Sequence, residues 1–236
     1  MSAISSSSPE DLSLQTVTDA RGNRIIAPAA LLPRLTVHFR ASNCVLELDP
    51  LARPGTVTVE FNGDGGQCRL GRGNPGGMFS ALLRIGQGSR IVIGDDTTTT
   101  ARCFIGASEG ASVLIGEDCM FASDVQLRCD DAHPIFDVHS GQRVNPARDV
   151  VIGNHVWLAY GTRCMGGTEV GDGSVIGLDS VVTGPVPNNC IAVGRPARVV
   201  RRDVAWERPH LSHLPADPAA AAAAVPRSRW WNPTRD

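Results

Sequence analysis

The sequence contains no lysine, and all 22 of its basic residues are arginine. The missing amine excludes any mechanism on this chain that needs a lysine Schiff base or a lysine general base. Against 24 acidic residues the arginines leave a net charge of −2, which is not the basic balance of a dedicated nucleic-acid binder. No apolar run approaches the length that spans a bilayer. The Ser-rich first ten residues lack the basic and apolar regions of a secretory signal, so we expect none.

Aromatic residues make up only 5% of the 236 residues, and the seven cysteines include no Cys-X-X-Cys pair. An odd, scattered set of cysteines is typical of reduced thiols that pack inside a cytoplasmic protein. The sequence therefore favours packing over zinc or redox chemistry, and we expect no metal. The 25 glycines and the many short aliphatic residues instead prompt a search for internal repeats.

A six-residue repeat runs through the C-terminal half of the chain. Its aliphatic anchors are Ile152, Leu158, Cys164, Val170, Ile176 and Val182, and a small residue follows most of them. A period of six scatters the anchors around a 3.6-residue helix, so it excludes an amphipathic helix. One apolar side chain per unit can point into a narrow interior while the small neighbour lets the backbone turn. Three units then form one triangular coil, and stacked coils form three parallel sheets.

The same unit also occurs earlier in the chain, where it begins at Ile85. Looser alternating strands precede Ile85. We predict an all-β parallel β-helix domain over residues 35–200, preceded by an N-terminal arm, residues 1–34, that is flexible or caps the first coil. Residues 201–236 form a short C-terminal tail. The repeat stops between Leu127 and Ile152, which predicts an extended inserted loop over 128–150. A long excursion from a regular solenoid is typical of a functional loop.

The loop and the coils after it carry a specific resemblance. The runs Asp131-Ala132-His133-Pro134-Ile135-Phe136-Asp137, Val144-Asn145 and Ile152-Gly153-Asn154-His155-Val156-Trp157-Leu158 resemble the hexapeptide-repeat, or left-handed β-helix, acyltransferases. They are most similar to the capsular and exopolysaccharide sugar O-acetyltransferases. The resemblance, which is firm over residues 85–202, implies the left hand of the coil; the general rule for parallel crossovers would favour the opposite hand.

The resemblance implies that His133 is the general base, which takes a proton from a sugar hydroxyl as that oxygen attacks a thioester carbonyl. Asp131, Asp130 or Asp137 would orient its imidazole, and the motif favours Asp131. His133 precedes Trp157 by 24 residues, which matches the family's spacing. Without the resemblance, the sequence would indicate only that His133 is a histidine in a surface loop.

Three other residues form the wall of the active site that the resemblance implies. Trp157 and Asp137 would form its wall together with Tyr160, the only tyrosine, at a position where the family commonly has a small residue. The backbone N–H of Tyr160 is a candidate oxyanion donor. His139 lies in the same loop as a second candidate base or a solvent-facing residue, and His155 is expected to be structural.

The donor implied by the resemblance is acetyl-CoA. Ala159, Leu178 and Thr183 would line the pantetheine groove, and Arg198 and Arg201 would contact the phosphates. The alternative interpretation is that these arginines form a solvent-exposed basic cluster at the end of the domain. The resemblance also implies a cytoplasmic homotrimer with active sites between subunits, and a sugar or polysaccharide acceptor.

Several functions remain open on the sequence alone. We expect direct O-acetylation of a sugar hydroxyl, and acetylation of an antibiotic or another small natural product is the alternative on the same fold. A γ-type carbonic anhydrase would need three histidines with metal-ligand spacing, which His133, His139 and His155 do not show. A non-catalytic β-helix scaffold would tolerate loss of His133.

Overall fold

A computed structural model describes residues 12–235, in which twenty-two strands wind into a three-sided prism. Sheet A, the nine-stranded face, contains β1 (Leu14–Thr18), β2 (Arg24–Pro28), β4 (Val45–Leu48), β6 (Gln67–Leu70), β8 (Arg90–Ile93), β11 (Ser112–Ile115), β14 (Val150–Ile152), β17 (Glu169–Val170) and β20 (Pro185–Val186). Sheet B, the seven-stranded face, contains β3 (Leu35–Phe39), β5 (Pro54–Phe61), β7 (Phe79–Ile85), β10 (Cys103–Ala107), β13 (Gln126–Arg128), β16 (Arg163–Met165) and β19 (Val181–Val182). Sheet C, the six-stranded face, contains β9 (Thr98–Thr99), β12 (Met120–Phe121), β15 (Trp157–Leu158), β18 (Val175–Ile176), β21 (Ile191–Gly194) and β22 (Ala197–Arg201).

The six-residue repeat is confirmed by the strand register. Ile152 pairs with Val170 on sheet A, Leu158 with Ile176 on sheet C, and Cys164 with Val182 on sheet B. Each pair is eighteen residues apart, so three units complete one coil. All six anchors are buried, with no more than 2% of their surface exposed. The predicted parallel β-helix is therefore the fold of this chain.

Three rows of turns join the sheets. The AC corner contains residues 116–119, 153–156 and 171–174; the CB corner contains 122–125, 159–162 and 177–180. The BA corner contains 129–149, 166–168 and 183–184. The turns need small residues because successive coils touch there. A β-carbon on Gly153 would lie 2.5 Å from the Asp172 carboxylate and 2.9 Å from the Val170 carbonyl oxygen.

The parallel stacking begins earlier than residue 35, where the sequence placed the start of the domain. Strand β2 already pairs in parallel with β4 on sheet A, and its inward-facing residues, Ile25 and Ala27, pack in or against the core. Strand β1 pairs antiparallel with β2 and ends that sheet. A 3-10 helix, Ala29–Arg34, joins β2 to β3. Residues 1–11 of the predicted arm lie outside the described residues.

The other end of the prism is closed by an antiparallel pair and by the chain that follows it. Strand β22 folds back on β21 and reaches Arg201, which we placed in the tail. The later chain contains a 3-10 helix, Leu211–His213, and one α-helix, α1 (Pro218–Ala224), whose N-cap Asp217 accepts a hydrogen bond from the Ala220 amide at 2.8 Å. Within residues 12–235 no helix has the length and apolar character needed to cross a bilayer.

The C-terminal strap, residues 203–235, lies along the AC corner. Trp206 is 8% exposed and stacks on the His155 ring at 4.1 Å between centroids. The His155 ring nitrogens lie 2.7 Å from the Asp118 carboxylate and 3.0 Å from the Trp206 carbonyl oxygen. Arg208 reaches the same carboxylate at 2.6 Å and also donates to the Thr98 hydroxyl. His155 is therefore structural, because every polar atom of its ring is used to fix the strap.

All seven cysteines are free and buried. Cys164 is an anchor of the repeat, and Cys119 occupies the position four residues after the anchor Ile115, so packing explains their burial. Burial raises the pKa of five thiols to about 12, which keeps them protonated at neutral pH: Cys68, Cys103, Cys119, Cys129 and Cys164.

We therefore expect the native protein to react very slowly with a disulfide reagent such as dithiobis(nitrobenzoate), because the thiolate is the reactive form. Unfolding in guanidinium chloride should release all seven thiols, which a titration at constant reagent concentration measures. Rapid labelling of even one thiol in the native protein would show that a coil opens locally. If the protein thiols do not react, the same reagent can also measure a thiol that an enzymatic reaction releases, without a background from the protein.

Candidate active site

The inserted loop leaves the prism at the BA corner, between β13 and β14. Its two ends meet through the Arg148 amide, which donates to the Cys129 carbonyl oxygen at 3.0 Å. Farther out the chain folds back on itself, because Phe136 and Arg143 form an antiparallel bridge and the Val144 amide donates to the Ile135 carbonyl oxygen at 2.9 Å. The predicted excursion is thus an ordered hairpin-like arm rather than an open loop.

Asp137 holds the tip of this arm. Its carboxylate accepts hydrogen bonds from the Ser140 amide at 2.7 Å, the Ser140 hydroxyl at 2.9 Å and the His139 amide at 3.1 Å. The bonds from the Ser140 amide and hydroxyl, and then the His139 amide, lower the pKa of Asp137. The contacts of Asp137 therefore stabilise the turn at the tip of the arm. We had predicted that Asp137 forms part of the active-site wall.

His133 lies on the exposed side of the arm, near its base. Its amide donates to the Asp131 carbonyl oxygen at 2.8 Å, and its own carbonyl oxygen accepts from the Asn145 side chain at 2.9 Å. The imidazole has no hydrogen-bond partner among residues 12–235. The backbone at this position is fixed, while the ring is open to a ligand or to another chain.

Asn145 is the residue that links His133 to Asp131. Its amide group donates to the Asp131 carboxylate at 3.0 Å as well as to the His133 carbonyl oxygen, and its own oxygen accepts from the Ile135 amide at 2.7 Å. We gave no role to Asn145 from the sequence, although it belongs to the Val144-Asn145 motif. The only local signal is an asparagine before Pro146 in a loop, which does not reveal a partner fourteen residues away.

None of the three candidate aspartates touches the His133 ring within residues 12–235. Asp131 is bound to Asn145, Asp137 holds the tip of the arm, and Asp130 accepts from the Ala132 amide at 2.8 Å. Asp131 and Asn145 support the backbone around His133, and no side chain of residues 12–235 hydrogen-bonds to the imidazole.

A cavity of about 370 Å³ lies beside the base of the arm. Its lining includes Asp131 and Thr183, so the structure brings a predicted catalytic-site residue and a predicted cofactor-binding residue to one cavity. Arg148 also lines it, and we did not predict this residue. Its guanidinium lies close to Gly167, where a β-carbon would come within 2.9 Å of it.

The other predicted wall and pantetheine residues lie on sheet C or at the CB corner. Trp157 is half-buried on β15, an inner strand of sheet C, and its ring centroid lies 5.9 Å from that of Trp206 in a tilted arrangement. Ala159, Tyr160 and Leu178 follow in the turns of two successive coils, and Leu178 is 67% exposed. The Tyr160 hydroxyl hydrogen-bonds to the Asp124 carboxylate, which raises the pKa of Tyr160.

Arg198 and Arg201 lie on β22, at the last coil of sheet C, and both are exposed. Arg198 donates to the neighbouring Ala197 carbonyl oxygen at 2.8 Å, and neither arginine pairs with a carboxylate within residues 12–235. The predicted residues therefore divide between two corners of the prism and sheet C. His133, Asp131, Asp137 and Thr183 lie at the BA corner, while Ala159, Tyr160 and Leu178 lie at the CB corner. Trp157 and the two arginines lie on strands of sheet C.

Known proteins share this architecture and sequence. The chain is 38% identical over 131 residues to a polysialic acid O-acetyltransferase of Escherichia coli, a match that covers 56% of the chain and 42% of that protein. It is 32% identical over 146 residues to the putative lipopolysaccharide biosynthesis O-acetyl transferase WbbJ of E. coli K12, of which it covers 72%. The crystal structure of the polySia-specific acetyltransferase NeuO superposes with a TM-score of 0.70 at 35% identity, over 80% of this chain and 86% of that one.

The chain belongs to the hexapeptide-repeat acyltransferases. Its relatives within this family include polysaccharide O-acetyltransferases, which confirms the branch that the motifs around His133 and Trp157 resemble. No family model matches the chain. The chain also spans less than half the length of the E. coli polysialic acid enzyme.

Proposed function

We propose that this hexapeptide-repeat acyltransferase transfers an acetyl group from acetyl-CoA to a hydroxyl of a bacterial surface polysaccharide. The observation that carries the proposal is the ordered arm, which bears His133 on a fold shared with NeuO. Asp131 and Asn145, which are bonded to each other and through Asn145 to the His133 backbone, line the cavity at the base of this arm. The related proteins are named for acetylation of polysialic acid and for lipopolysaccharide biosynthesis, so a capsular or exopolysaccharide acceptor is the class that we assign.

In the proposed reaction His133 accepts the proton of the acceptor hydroxyl while that oxygen bonds to the acetyl carbon. The carbon–sulfur bond of the donor breaks, and the proton passes to the departing sulfur, so no acyl-enzyme forms. Asn145 and Asp131 hold the backbone on both sides of His133 in place. The amide of Tyr160 donates no hydrogen bond within residues 12–235, which leaves it available to the developing oxyanion.

The donor fits the residues at the CB corner and on β22. The exposed Leu178 and the adjacent Ala159 offer a narrow apolar strip for the pantetheine arm. Arg198 and Arg201 have no carboxylate to neutralise them in the described chain, and a phosphate would satisfy their donors. When bound, the donor supplies the activated acetyl group. The reaction would take place in the cytoplasm, where free thiols such as the seven of this chain remain reduced.

A homotrimer would unite the two halves of the site. His133 and Thr183 lie at one corner of the prism and Leu178 at another, so a neighbouring copy can complete each half. The arm also exposes apolar side chains that suit burial against such a copy: Ile135 at 53%, Phe136 at 55%, Val138 at 89% and Val144 at 58%. We therefore propose that active sites form between subunits.

The spatial separation of the histidines argues against a carbonic anhydrase. His133 lies on the arm at the BA corner, whereas His155 is held by Asp118 and Trp206 at the AC corner. His139 lies at the tip of the arm. Residues 12–235 contain no group of three or more potential metal ligands.

Release of free coenzyme A thiol tests the proposed function. We expect acetyl-CoA to be consumed only when a surface polysaccharide is present, with a mass increase of one acetyl group on the polysaccharide. The panel should contain sialic acid oligomers, lipopolysaccharide O-antigen fragments and aminoglycoside and chloramphenicol antibiotics. Turnover with an antibiotic alone would favour the small-molecule alternative, and no acceptor-dependent release from any of them would contradict the proposal.

A further inference from the structure

Sheet B carries a pair of arginines on its outer face, beside the arm. Arg84 on β7 and Arg128 on β13 both pair in register with Gly106 on β10. Two strand spacings separate them, about 9.6 Å between backbones. Since Gly106 has no side chain, the Phe104 ring leans over it, and a β-carbon there would lie 3.1 Å from the ring. We call these four residues the arginine notch.

The two guanidinium groups converge on the Phe104 ring. The central carbon of Arg128 lies 4.2 Å from the ring centroid, and that of Arg84 lies 5.6 Å from it. Cation–π attraction at these distances holds both guanidinium groups against the same ring. The half-buried ring thus brings together two cations that would otherwise repel each other.

Each arginine is oriented through its Nε atom. Arg84 Nε donates to the Glu60 carboxylate at 2.9 Å, and Arg128 Nε donates to the Gln126 side-chain oxygen at 3.1 Å. The terminal nitrogens of both groups have no hydrogen-bond partner within residues 12–235. Two aimed guanidinium groups with unused terminal donors match the bidentate geometry of a carboxylate.

The charge of the notch is only partly balanced by the protein. Glu60, which pairs with Arg84, is shared with Arg40 at 3.9 Å. Arg128 has no carboxylate within 4.0 Å in the described chain. Asp130 lies nearby, but its carboxylate is turned to the Ala132 amide at 2.8 Å. A net positive charge therefore remains for an anionic ligand.

The notch opens next to the base of the arm. A cavity of about 140 Å³ is lined by Arg84, Phe104 and Arg128 on one side and by Asp130 and Ala132 on the other. Ala132 directly precedes His133 in the chain. An anionic group held by the notch is therefore next to the segment that carries the proposed base.

We propose that the arginine notch binds the carboxylate of an acidic sugar in the acceptor chain, and so selects acidic over neutral polysaccharides. This inference rests on the proposed function, because it assigns the notch to the acceptor of that reaction. Arg128 carries most of the selectivity, since its charge is the one that the protein leaves unpaired. Arg84 adds the second guanidinium group, and Phe104 is the apolar ring that both groups contact.

Equilibrium binding measurements test this inference independently of catalytic turnover. The probes are sialic acid oligomers and galacturonic acid oligomers, each compared with the same oligomer after its carboxyl groups are reduced to alcohols. Titration calorimetry without acetyl-CoA should show at least one acidic probe binding about tenfold or more tightly than its reduced form, as expected for loss of a charge-assisted hydrogen bond. Arg128→Gln should remove that difference, and Arg128→Lys should restore part of it.

The matched control is Arg90→Gln, which removes an exposed arginine from the outer face of sheet A and should leave binding unchanged. Equal binding of acidic and reduced probes by the unmodified protein, binding of neither, or an Arg128→Gln variant that still discriminates would each overturn the inference. Selective binding without thiol release with any acceptor would leave the notch standing and contradict the proposed function. Turnover that changes neither when the carboxyl groups of the acceptor are reduced nor in the Arg128→Gln variant would support the proposed function and overturn the role of the notch.

Discussion

Replacing His133 with alanine is expected to lower kcat for acetyl transfer by about 10²- to 10⁴-fold, the usual contribution of a general base. The imidazole is exposed and has no hydrogen-bond partner in residues 12–235, so the thermal stability should not change. Donor binding should also persist, because the proposed pantetheine and phosphate contacts involve other residues. The measurements are thiol release with saturating acetyl-CoA and titration of coenzyme A.

His139→Ala is the matched control for this experiment. His139 lies on the same arm, and the Asp137 carboxylate contacts only its amide, so its side chain can be removed without loss of that bond. We expect its turnover to stay near that of the unmodified protein. If His133→Ala were equally active, His133 would not be the base; if both variants failed, the arm would serve in assembly rather than in proton transfer.

The repeat made the fold predictable from the sequence. Anchors such as Ile152 and Leu158 repeat every six residues because one side chain per unit fits the interior, and the same spacing fixes which strands pair. The beginning of the domain was harder to predict. Strand β2 contributes only two residues to the core, Ile25 and Ala27, and so short an alternation does not establish a period.

The site could be predicted only where local motifs describe it. We propose His133 because its neighbours form a recognisable run, and the structure shows that His133 lies on an ordered arm. The contacts of Asn145 depend on the folded path of the arm, and those of Phe104 with Arg84 and Arg128 depend on strand register. The repeat in the sequence predicts which strands of a solenoid pair in register. It does not predict the direction in which a side chain extends towards its neighbours.

The strap contacts lie even farther apart in the sequence. Asp118 and Arg208 are separated by 90 residues, and His155 and Trp206 by 51 residues. No periodic pattern links a tail to a corner, so the sequence left the tail without a role. Its contacts show that it closes the AC corner, which leaves the BA and CB corners for the proposed chemistry.

Arg208→Ala is expected to lower the free energy of unfolding by about 3 kcal/mol, because it removes the partner of a partly buried carboxylate. The side chain makes four hydrogen bonds, to the Asp118 carboxylate, the Thr98 hydroxyl and the carbonyl oxygens of Asp96 and Cys119. Guanidinium chloride unfolding, followed by Trp fluorescence, measures the change.

The control for the strap is Arg229→Ala. Arg229 pairs with Glu117 at the same corner, but its side chain is 68% exposed and that of Glu117 is 40% exposed. Exposed pairs contribute little, so this variant should change stability by no more than about 0.5 kcal/mol. Equal effects of the two substitutions would mean that the strap is held by its apolar contacts and not by the buried ion pair.

The strap should also weaken in acid, and the carboxyl group of Asp118 sets where. Burial alone would raise its pKa, but hydrogen bonds from His155 and Arg208 and the charge of Arg208 outweigh it, so the pKa lies below its ordinary value of 3.8. A carboxyl group of this kind stabilises the fold fully above its unfolded pKa and loses that contribution as the pH falls through its folded value. The difference in stability between the unmodified protein and Asp118→Asn should therefore be constant near neutral pH and shrink below pH 3.8. Unfolding curves from about pH 6 downward measure it, and a difference that stayed constant into acid would show that the ionised form of Asp118 does not hold the strap.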